Sequence, residues 1–250
     1  MPQNINHKRY PVLDALRGAA IVNMVIYHAI WDLVYLFGFD WKWYQSTAAH
    51  LWQQAICCTF IFLSGFCLPF SHKGIKRGLV VFLAGAVVSA VTILFTPESR
   101  ILFGVLTLIG SSMILISLAK PLLERCPAAA GLGVSFVLFL CTKNISSGYI
   151  GFGSWRLWTL PKTWYSGWLT AYLGLPMKVF FSTDYFALMP WLFLFAAGWF
   201  FHPIAQKAGW FPILGHSAAK SLEWAGRHSL IIYMLHQPLI YLLLSVLFRR

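Results

Sequence analysis

The first long apolar run of the chain carries ionisable side chains at helical spacing. His28 lies four residues before Asp32, so both side chains share one face of a helix. Arg17 precedes His28 by eleven residues, which is about three turns or roughly 16 Å along nearly the same face. A carboxylate beside an imidazole can orient the ring and raise its basicity, and a guanidinium suits phosphate. This stripe predicts proton transfer at one end and anion binding at the other.

The alternative interpretation of the His28–Asp32 pair is a satisfied polar contact that locks two helices together. We favour function, because ionisable groups inside a membrane are costly to bury and commonly mark a functional site. The two residues supply only two ligand types close together in sequence, so no metal site is predicted.

The last apolar run carries a second polar set. Ser229, Tyr233 and His236 follow i, i+4, i+7 spacing and share a helix face. Pro238 frees a backbone carbonyl and can kink the helix. Interhelical hydrogen bonding and catalysis account for this pattern equally well. His236 therefore joins His28 and Asp32 as a candidate catalytic residue.

The composition places these residues in a membrane protein. Hydrophobic residues make up 59% of the chain and charged residues 10%, with a mean hydropathy of +0.69, whereas a soluble domain carries about 25% charged residues. The formal net charge is +12. The basic residues form short clusters between apolar runs, as loops at anionic lipid headgroups do, so nucleic acid is not an expected partner.

Apolar runs long enough to cross a bilayer predict an all-α, polytopic transmembrane helix bundle of about seven spans in a single domain, residues 1–250. One of these runs, residues 128–141, is shorter than the others and rich in glycine. An eighth span hidden in residues 164–181 is an alternative. The predicted spans are residues 15–37, 51–70, 79–95, 101–118, 128–141, 186–201 and 230–248.

The Lys/Arg bias of the loops predicts a cytoplasmic N-terminus in a multi-pass protein of the cell (inner) membrane. Basic residues after the second, fourth and sixth spans then share the N-terminal side, among them Lys76, Lys120 and Lys207. Arg249 and Arg250 fall on the opposite side, against the rule.

The longest connection, residues 143–185, is rich in tyrosine and tryptophan. One interpretation is an aromatic segment that lies on the lipid headgroups, and the other is an acceptor site whose rings stack on a sugar. Asp184 near its end is either a helix N-cap or an acceptor contact.

Six ordered motifs run across the chain. They are Arg9-x4-Asp14-x-Leu16-Arg17-Gly18, Met24-Val25-x-x-His28-x3-Asp32, Phe103-Gly104-Val105-Leu106, Ser182-x-Asp184-Tyr185-Phe186-x3-Pro190-Trp191, Gly226-Arg227-x-Ser229 and Tyr233-x-x-His236-Gln237-Pro238. Together they resemble the motifs of the bacterial members of the heparan-alpha-glucosaminide N-acetyltransferase catalytic-domain family. The first motif alone is also similar to wider membrane acyltransferases of the acyltransferase-3 type.

The resemblance implies an enzyme that takes acetyl from acetyl-CoA on the cytoplasmic side and acetylates a sugar amine or hydroxyl on the other side. Membrane lipid, a sugar or glycan acceptor and a second copy of the chain are the expected partners. Eukaryotic members carry Asn at the position of His28 and their catalytic His in the next extracytoplasmic loop, where this sequence offers His50. The candidate donor contacts are Arg17, Asp14 and Arg227, and the candidate acceptor contacts are Asp184, Tyr185 and Trp191.

Two other classes of function stay open at this point. In a proton-coupled transporter, His28, Asp32 and His236 would relay protons. The sequence has no repeated halves and no paired broken helices, which argues against a transporter. In a non-catalytic scaffold subunit, the same side chains would only pack.

Overall fold

A computed structural model describes residues 9–216 and 219–248, so Arg249 and Arg250 lie outside the described residues. The helices of the described part are α1 (Pro11–Tyr35), α2 (Thr47–Cys67), α3 (Gly74–Phe95), α4 (Val105–Leu123), α5 (Ala128–Thr142), α6 (Trp168–Leu173), α7 (Leu188–Lys207), α8 (Phe211–Leu214), α9 (Lys220–Arg227) and α10 (Ser229–Leu247). Strands β1 (Tyr149–Phe152) and β2 (Trp155–Thr159) form one antiparallel hairpin.

Seven helices of the described residues are long and apolar enough to cross a membrane, which confirms the predicted all-α polytopic bundle. Several helices begin four or five residues before the predicted apolar run, because their first turns carry polar or small residues. The eighth span considered for residues 164–181 is wrong. That stretch holds only the six-residue helix Trp168–Leu173, whereas a span needs about 20 residues.

The chain divides into two compact units, Met1–Phe60 with Ala205–Arg250, and Ile61–Ile204. The first unit is built around α1, which packs on both α9 and α10. Pro11 opens α1 and Asp14 lies in its first turn, a combination that suits the N-terminus of a helix. Ile21, Met24 and Ile56 form the buried core of this unit together with Ala225.

The contact of α1 with α9 is a close backbone approach at two glycines. A Cβ atom added to Gly18 would lie 1.9 Å from the carbonyl oxygen of Leu222, and one added to Gly226 would lie 1.8 Å from that of Asp14. No side chain fits at either position, so both motif glycines are explained by packing. The same principle of small residues at helix contacts is general in membranes.

In the second unit, α3 and α4 form the main helix pair, and glycines again line the contact. A Cβ atom on Gly110 would lie 2.4 Å from the backbone nitrogen of Phe82. The segment after α5 has its own small core of Ile145, Leu160 and Leu175. This core anchors the β-hairpin to the end of α5.

Two motifs of the second unit, 80 residues apart in sequence, are joined by hydrogen bonds between residues 102–103 and residues 182–186, which we call the clasp. The Ser182 hydroxyl donates to the Leu102 carbonyl at 3.0 Å, and the backbone N–H of Leu102 donates to the Ser182 hydroxyl at 2.9 Å. The Phe186 N–H donates to the Phe103 carbonyl at 2.9 Å. Phe103 is held at a φ of 56°, a region that a bulky residue enters only at a cost of about 1–3 kcal/mol. These motif residues therefore fix the entrance of α4.

Candidate functional site

The two candidate histidines of the first unit meet across α1 and α10. The ring centroids of His28 and His236 are 4.9 Å apart, and the rings stand nearly edge to face at 66°. His28 is half-buried, and its ring also contacts Tyr27, whereas His236 is 9% exposed. Residues that sequence analysis placed on separate helices thus form one imidazole pair.

Asp32 has a different hydrogen-bond partner from the one the spacing predicts. The Gln237 amide nitrogen donates to Asp32 Oδ1 at 2.6 Å, so the carboxyl group is held from α10 and not by His28. Asp32 is fully buried, with 0% exposure. Helical spacing puts His28 and Asp32 on one face of α1. The Gln237 amide of α10 reaches the same face and donates the hydrogen bond to the Asp32 carboxyl oxygen.

The hydrogen bond of His236 fixes its tautomer when the ring is neutral. Nδ1 lies 2.6 Å from the backbone carbonyl oxygen of Tyr233. A carbonyl only accepts hydrogen bonds, so Nδ1 carries the proton and Nε2 keeps its lone pair. Nε2 is therefore the ring atom that could accept a proton.

Three polar atoms of this site are buried without a hydrogen-bond partner within the described residues: Asp32 Oδ2, Gln237 Oε1 and His236 Nε2. Unpartnered polar atoms are costly in an apolar interior and are uncommon in native structures. We refer to His28, Asp32, His236 and Gln237 as the intramembrane polar cluster. It contains a half-buried imidazole next to buried groups that can hold or take a proton.

The candidate donor contacts lie further toward the start of α1. The Arg17 guanidinium is 3.1 Å from the Asp14 carboxylate, and both side chains are 21% exposed. Arg227 is exposed on α9, and its Nε donates to the Glu223 carbonyl at 3.2 Å. Gly226, next to Arg227, contacts the Asp14 backbone. The Arg17–Asp14 pair and the Arg227 segment are thus joined by the α1–α9 contact.

The candidate acceptor contacts all belong to the second unit. Asp184 lies four residues before α7 and so does not cap that helix. One of its carboxyl oxygens would be 3.4 Å from a Cβ atom on Gly104, the residue that precedes α4. The Tyr185 hydroxyl donates to the Ala171 carbonyl, and Trp191 packs on Phe139 and Phe186.

Sequence reasoning missed two contributors to the first unit. Gln237 was quoted in a motif without a role, although an amide inside an apolar run is a signal of a buried hydrogen bond. Tyr44 lies in a short 3-10 turn, Lys42–Gln45, and its hydroxyl donates to the Tyr27 carbonyl at 3.2 Å. Burial raises the pKa of Tyr44 well above its usual range, and the bond to Tyr27 adds to this effect.

Across residues 9–216 and 219–248, no group of three or more His, Cys, Asp or Glu side chains is arranged to hold a metal ion.

Comparison with known proteins gives one family. The family model described as "Heparan-alpha-glucosaminide N-acetyltransferase, catalytic" matches residues 9–238, nearly the whole chain. No curated protein and no solved structure matches.

Proposed function

Because the chain belongs to the heparan-alpha-glucosaminide N-acetyltransferase catalytic family, we propose that it is a membrane acetyltransferase that carries acetyl from cytoplasmic acetyl-CoA to a sugar amine or hydroxyl on the opposite side. The intramembrane polar cluster is the observation that supports this most strongly. An acceptor must lose a proton during acetyl transfer, and the cluster places an accessible imidazole beside a second one of defined tautomer.

His28 takes the proton in the proposed mechanism, because it is the more accessible ring of the pair. The acceptor nitrogen or oxygen attacks the thioester carbonyl, its proton passes to the imidazole, the carbon–sulfur bond breaks, and the coenzyme A thiolate leaves. His236 lies against His28 at 4.9 Å, and like charges at this distance repel in an apolar setting. The pair therefore favours a single proton, which it can return to the leaving thiolate.

The donor binds at the other end of α1 in this proposal. His28 is roughly 16 Å from Arg17 along the helix, so a long, extended donor can place its phosphates near Arg17 and its thioester near the pair. Asp14 already offsets the charge of Arg17 at 3.1 Å. Arg227 is more exposed, and we expect it to contribute at least as much to phosphate binding as Arg17.

The test is acetyl transfer by purified protein in lipid nanodiscs, with radiolabelled acetyl-CoA and a panel of envelope glycans. We expect His28→Ala to lower kcat by roughly 10²–10⁴-fold, as for loss of a general base, with little change in coenzyme A binding. Arg227→Ala and Arg17→Ala should mainly weaken coenzyme A binding.

His50→Ala is the matched control, because this exposed residue lies in the first turn of α2. It should retain wild-type turnover. A folded His28→Ala protein with wild-type kcat, or a loss confined to His50→Ala, would move the base away from the polar cluster. A protein that never transfers acetyl but takes up protons with a solute would be a transporter instead.

A further inference from the structure

The β-hairpin β1–β2 presents large apolar side chains that are exposed. All five residues of β2 are exposed, with Trp155 at 77%, Leu157 at 70% and Trp158 at 58%. The register of the hairpin shifts by one residue between Ile150 and Gly151, so that Trp158 lies opposite Ile150 and Trp155 lies opposite Phe152. Because Ile150 and Phe152 are two residues apart, both tryptophans lie on the same face, and Leu157 is the extra residue of the bulge. The exposed residues of β2 are thus not covered by the core of their unit, although that core anchors the hairpin through Ile145 and Leu160.

The charge of the surrounding segment has one sign. Between residues 125 and 183 the sequence contains no aspartate or glutamate. Lys143, Arg156, Lys162 and Lys178 are all exposed there. The Arg156 guanidinium also lies over the Tyr149 ring, 5.0 Å from its centroid, so a cation and an aromatic ring lie side by side on the hairpin. Tryptophan beside Lys or Arg is typical of the membrane–water interface.

The hairpin begins directly after a candidate span. That span covers Ala128–Ser147, and its exposed residues include Val134 and Val137. The exposed apolar surface of the hairpin thus follows directly on the exposed apolar surface of this candidate span. A chain leaving the bilayer at residue 147 has β1 within two residues of the boundary, so the hairpin lies at the depth of the headgroups.

We propose that this hairpin is a lipid-binding finger that inserts its tryptophan and leucine side chains into the interface of an anionic phospholipid leaflet, with Arg156 and the neighbouring lysines on the phosphates. The negative surface potential of such a leaflet attracts exposed cations. The anchor is separate from the acetyl-transfer chemistry and does not depend on it.

A spin label at position 157, in protein that lacks the five native cysteines, tests the finger. In vesicles of phosphatidylcholine with phosphatidylglycerol, we expect the label to collide with oxygen more than with a water-soluble nickel chelate. A label at exposed Glu98, in the turn Pro97–Ser99 that follows α3, is the control and should favour the chelate.

The variant Arg156→Gln/Lys162→Gln should shift label 157 toward the chelate. A label 157 that stays in water in every vesicle overturns the finger, and a shift on adding soluble glycan would assign the surface to a sugar instead. If label 157 is buried equally in vesicles of pure phosphatidylcholine, and the charge variant does not change its burial, the contact of Arg156 and the lysines with the lipid phosphates is overturned.

A second inference concerns the proton of Asp32 and rests on the unpartnered atoms of the polar cluster. Gln237 Nε2 donates to Asp32 Oδ1, while Asp32 Oδ2 and Gln237 Oε1 stay without partners among the described residues. Both of these oxygens only accept while Asp32 is ionised. One proton on Oδ2 turns it into a donor that can satisfy Oε1.

Among residues 9–216 and 219–248, no Lys or Arg forms an ion pair with Asp32. The ion pairs seen elsewhere include Arg17–Asp14, Lys42–Asp40 and Lys120–Glu124. The titratable groups around the carboxyl are His28 on α1, His236 on α10 and Tyr44, whose phenol interacts electrostatically with Asp32. A fully buried, uncompensated carboxylate is costly, and a carboxyl group in such a place takes up a proton instead.

We infer that Asp32 is protonated at neutral pH and forms a cyclic acid–amide pair with Gln237, with Gln237 as a positioning residue that holds the acid. The pair explains why the carboxyl group does not orient His28. It also keeps a second exchangeable proton, that of the Asp32 carboxyl group, within the intramembrane polar cluster.

Infrared difference spectroscopy of the protein in nanodiscs tests this without any substrate. Subtracting Asp32→Asn from wild type at pH 7 should remove a carboxylic-acid carbonyl band that shifts in heavy water. Asp40→Asn, at an exposed carboxylate paired with Lys42, is the control and should remove only carboxylate bands. Loss of carboxylate bands alone in Asp32→Asn would overturn the assignment.

Thermal melting gives an independent reading of the same pair. Asparagine at position 32 can donate to Gln237 Oε1 and accept from Nε2, so Asp32→Asn should melt within about 2 °C of wild type. Asp32→Leu leaves the amide unpartnered and should melt several degrees lower. Equal destabilisation by both variants would contradict the cyclic pair.

Discussion

Substituting Gly226 with alanine should separate α9 from α1. The new Cβ atom would lie 1.8 Å from the Asp14 carbonyl oxygen, 2.7 Å from its carbon and 2.9 Å from the Gly18 nitrogen. All three are backbone atoms of a helix, which cannot rotate away as a flexible side chain can. Ordinary contact begins at 3.4 Å, so the two backbones must part by about 1.6 Å.

The cost follows from the loss of close packing. Overpacking by one methyl group in a tight contact typically costs 1–3 kcal/mol. For a chain of this size, such a loss lowers Tm by about 2–12 °C. Arg227 is the next residue, so its position relative to Arg17 changes with the contact, and coenzyme A binding should weaken together with Tm.

The assay is thermal melting in nanodiscs together with coenzyme A binding by calorimetry. Gly133→Ala in α5 is the matched control, since a Cβ atom there meets nothing within 4 Å. It should be neutral or slightly stabilising, because alanine favours a helix over glycine by about 0.5–1 kcal/mol. If Gly226→Ala melts and binds like Gly133→Ala, the close approach of α9 to α1 is not part of the folded protein.

Three further outcomes are expected. Single cysteines at Lys42 and Lys76 should label from opposite sides of the membrane, and labelling from one side would refute the predicted topology. Asp184→Asn should raise the acceptor KM in a normally folded protein, because it removes the charge while keeping the shape, and an unchanged KM would refute the binding role. Burial raises the Tyr44 pKa, so above about pH 10 the unfolded state releases a proton that the folded state keeps, and the free energy of unfolding falls as pH rises. Tyr44→Phe removes this group, so the free energy of unfolding of the variant should fall less steeply above about pH 10.

Hydropathy was sufficient to predict the spans, because the cost of burying polar backbone and side chains in lipid leaves few ways to arrange long apolar runs. The boundaries were less accurate. α1 begins at Pro11, four residues before the predicted run, because its first turn contains the charged Asp14 and so was not counted as apolar. The six-residue α6 could not be told from a span fragment by composition, since Trp168 and Leu169 are as apolar as lipid-facing residues.

The polar cluster could be predicted only in part. Spacing on α1 correctly put His28 and Asp32 on one face, and spacing on α10 singled out His236. Their partners depend on how α10 sits against α1, which spacing within one helix does not determine. This is why the hydrogen-bond partner of Asp32 is Gln237, which lies 205 positions further along the chain, and not His28 as the spacing predicted.

The motif residues separate into two groups once their contacts are known. Gly18 and Gly226 allow two backbones to touch, and Ser182 with Phe103 closes a clasp at the entrance of α4. Their partners are backbone atoms, so a scaffold alone would account for them. A scaffold does not account for buried polar atoms left without partners, because apolar side chains would pack the same space at lower cost. Within the part of the chain that the structure describes, Asp32, His236 and Gln237 keep such atoms beside the ring of His28. The motif residues that packing leaves unexplained are therefore the ones to which we assign the proposed acetyl transfer.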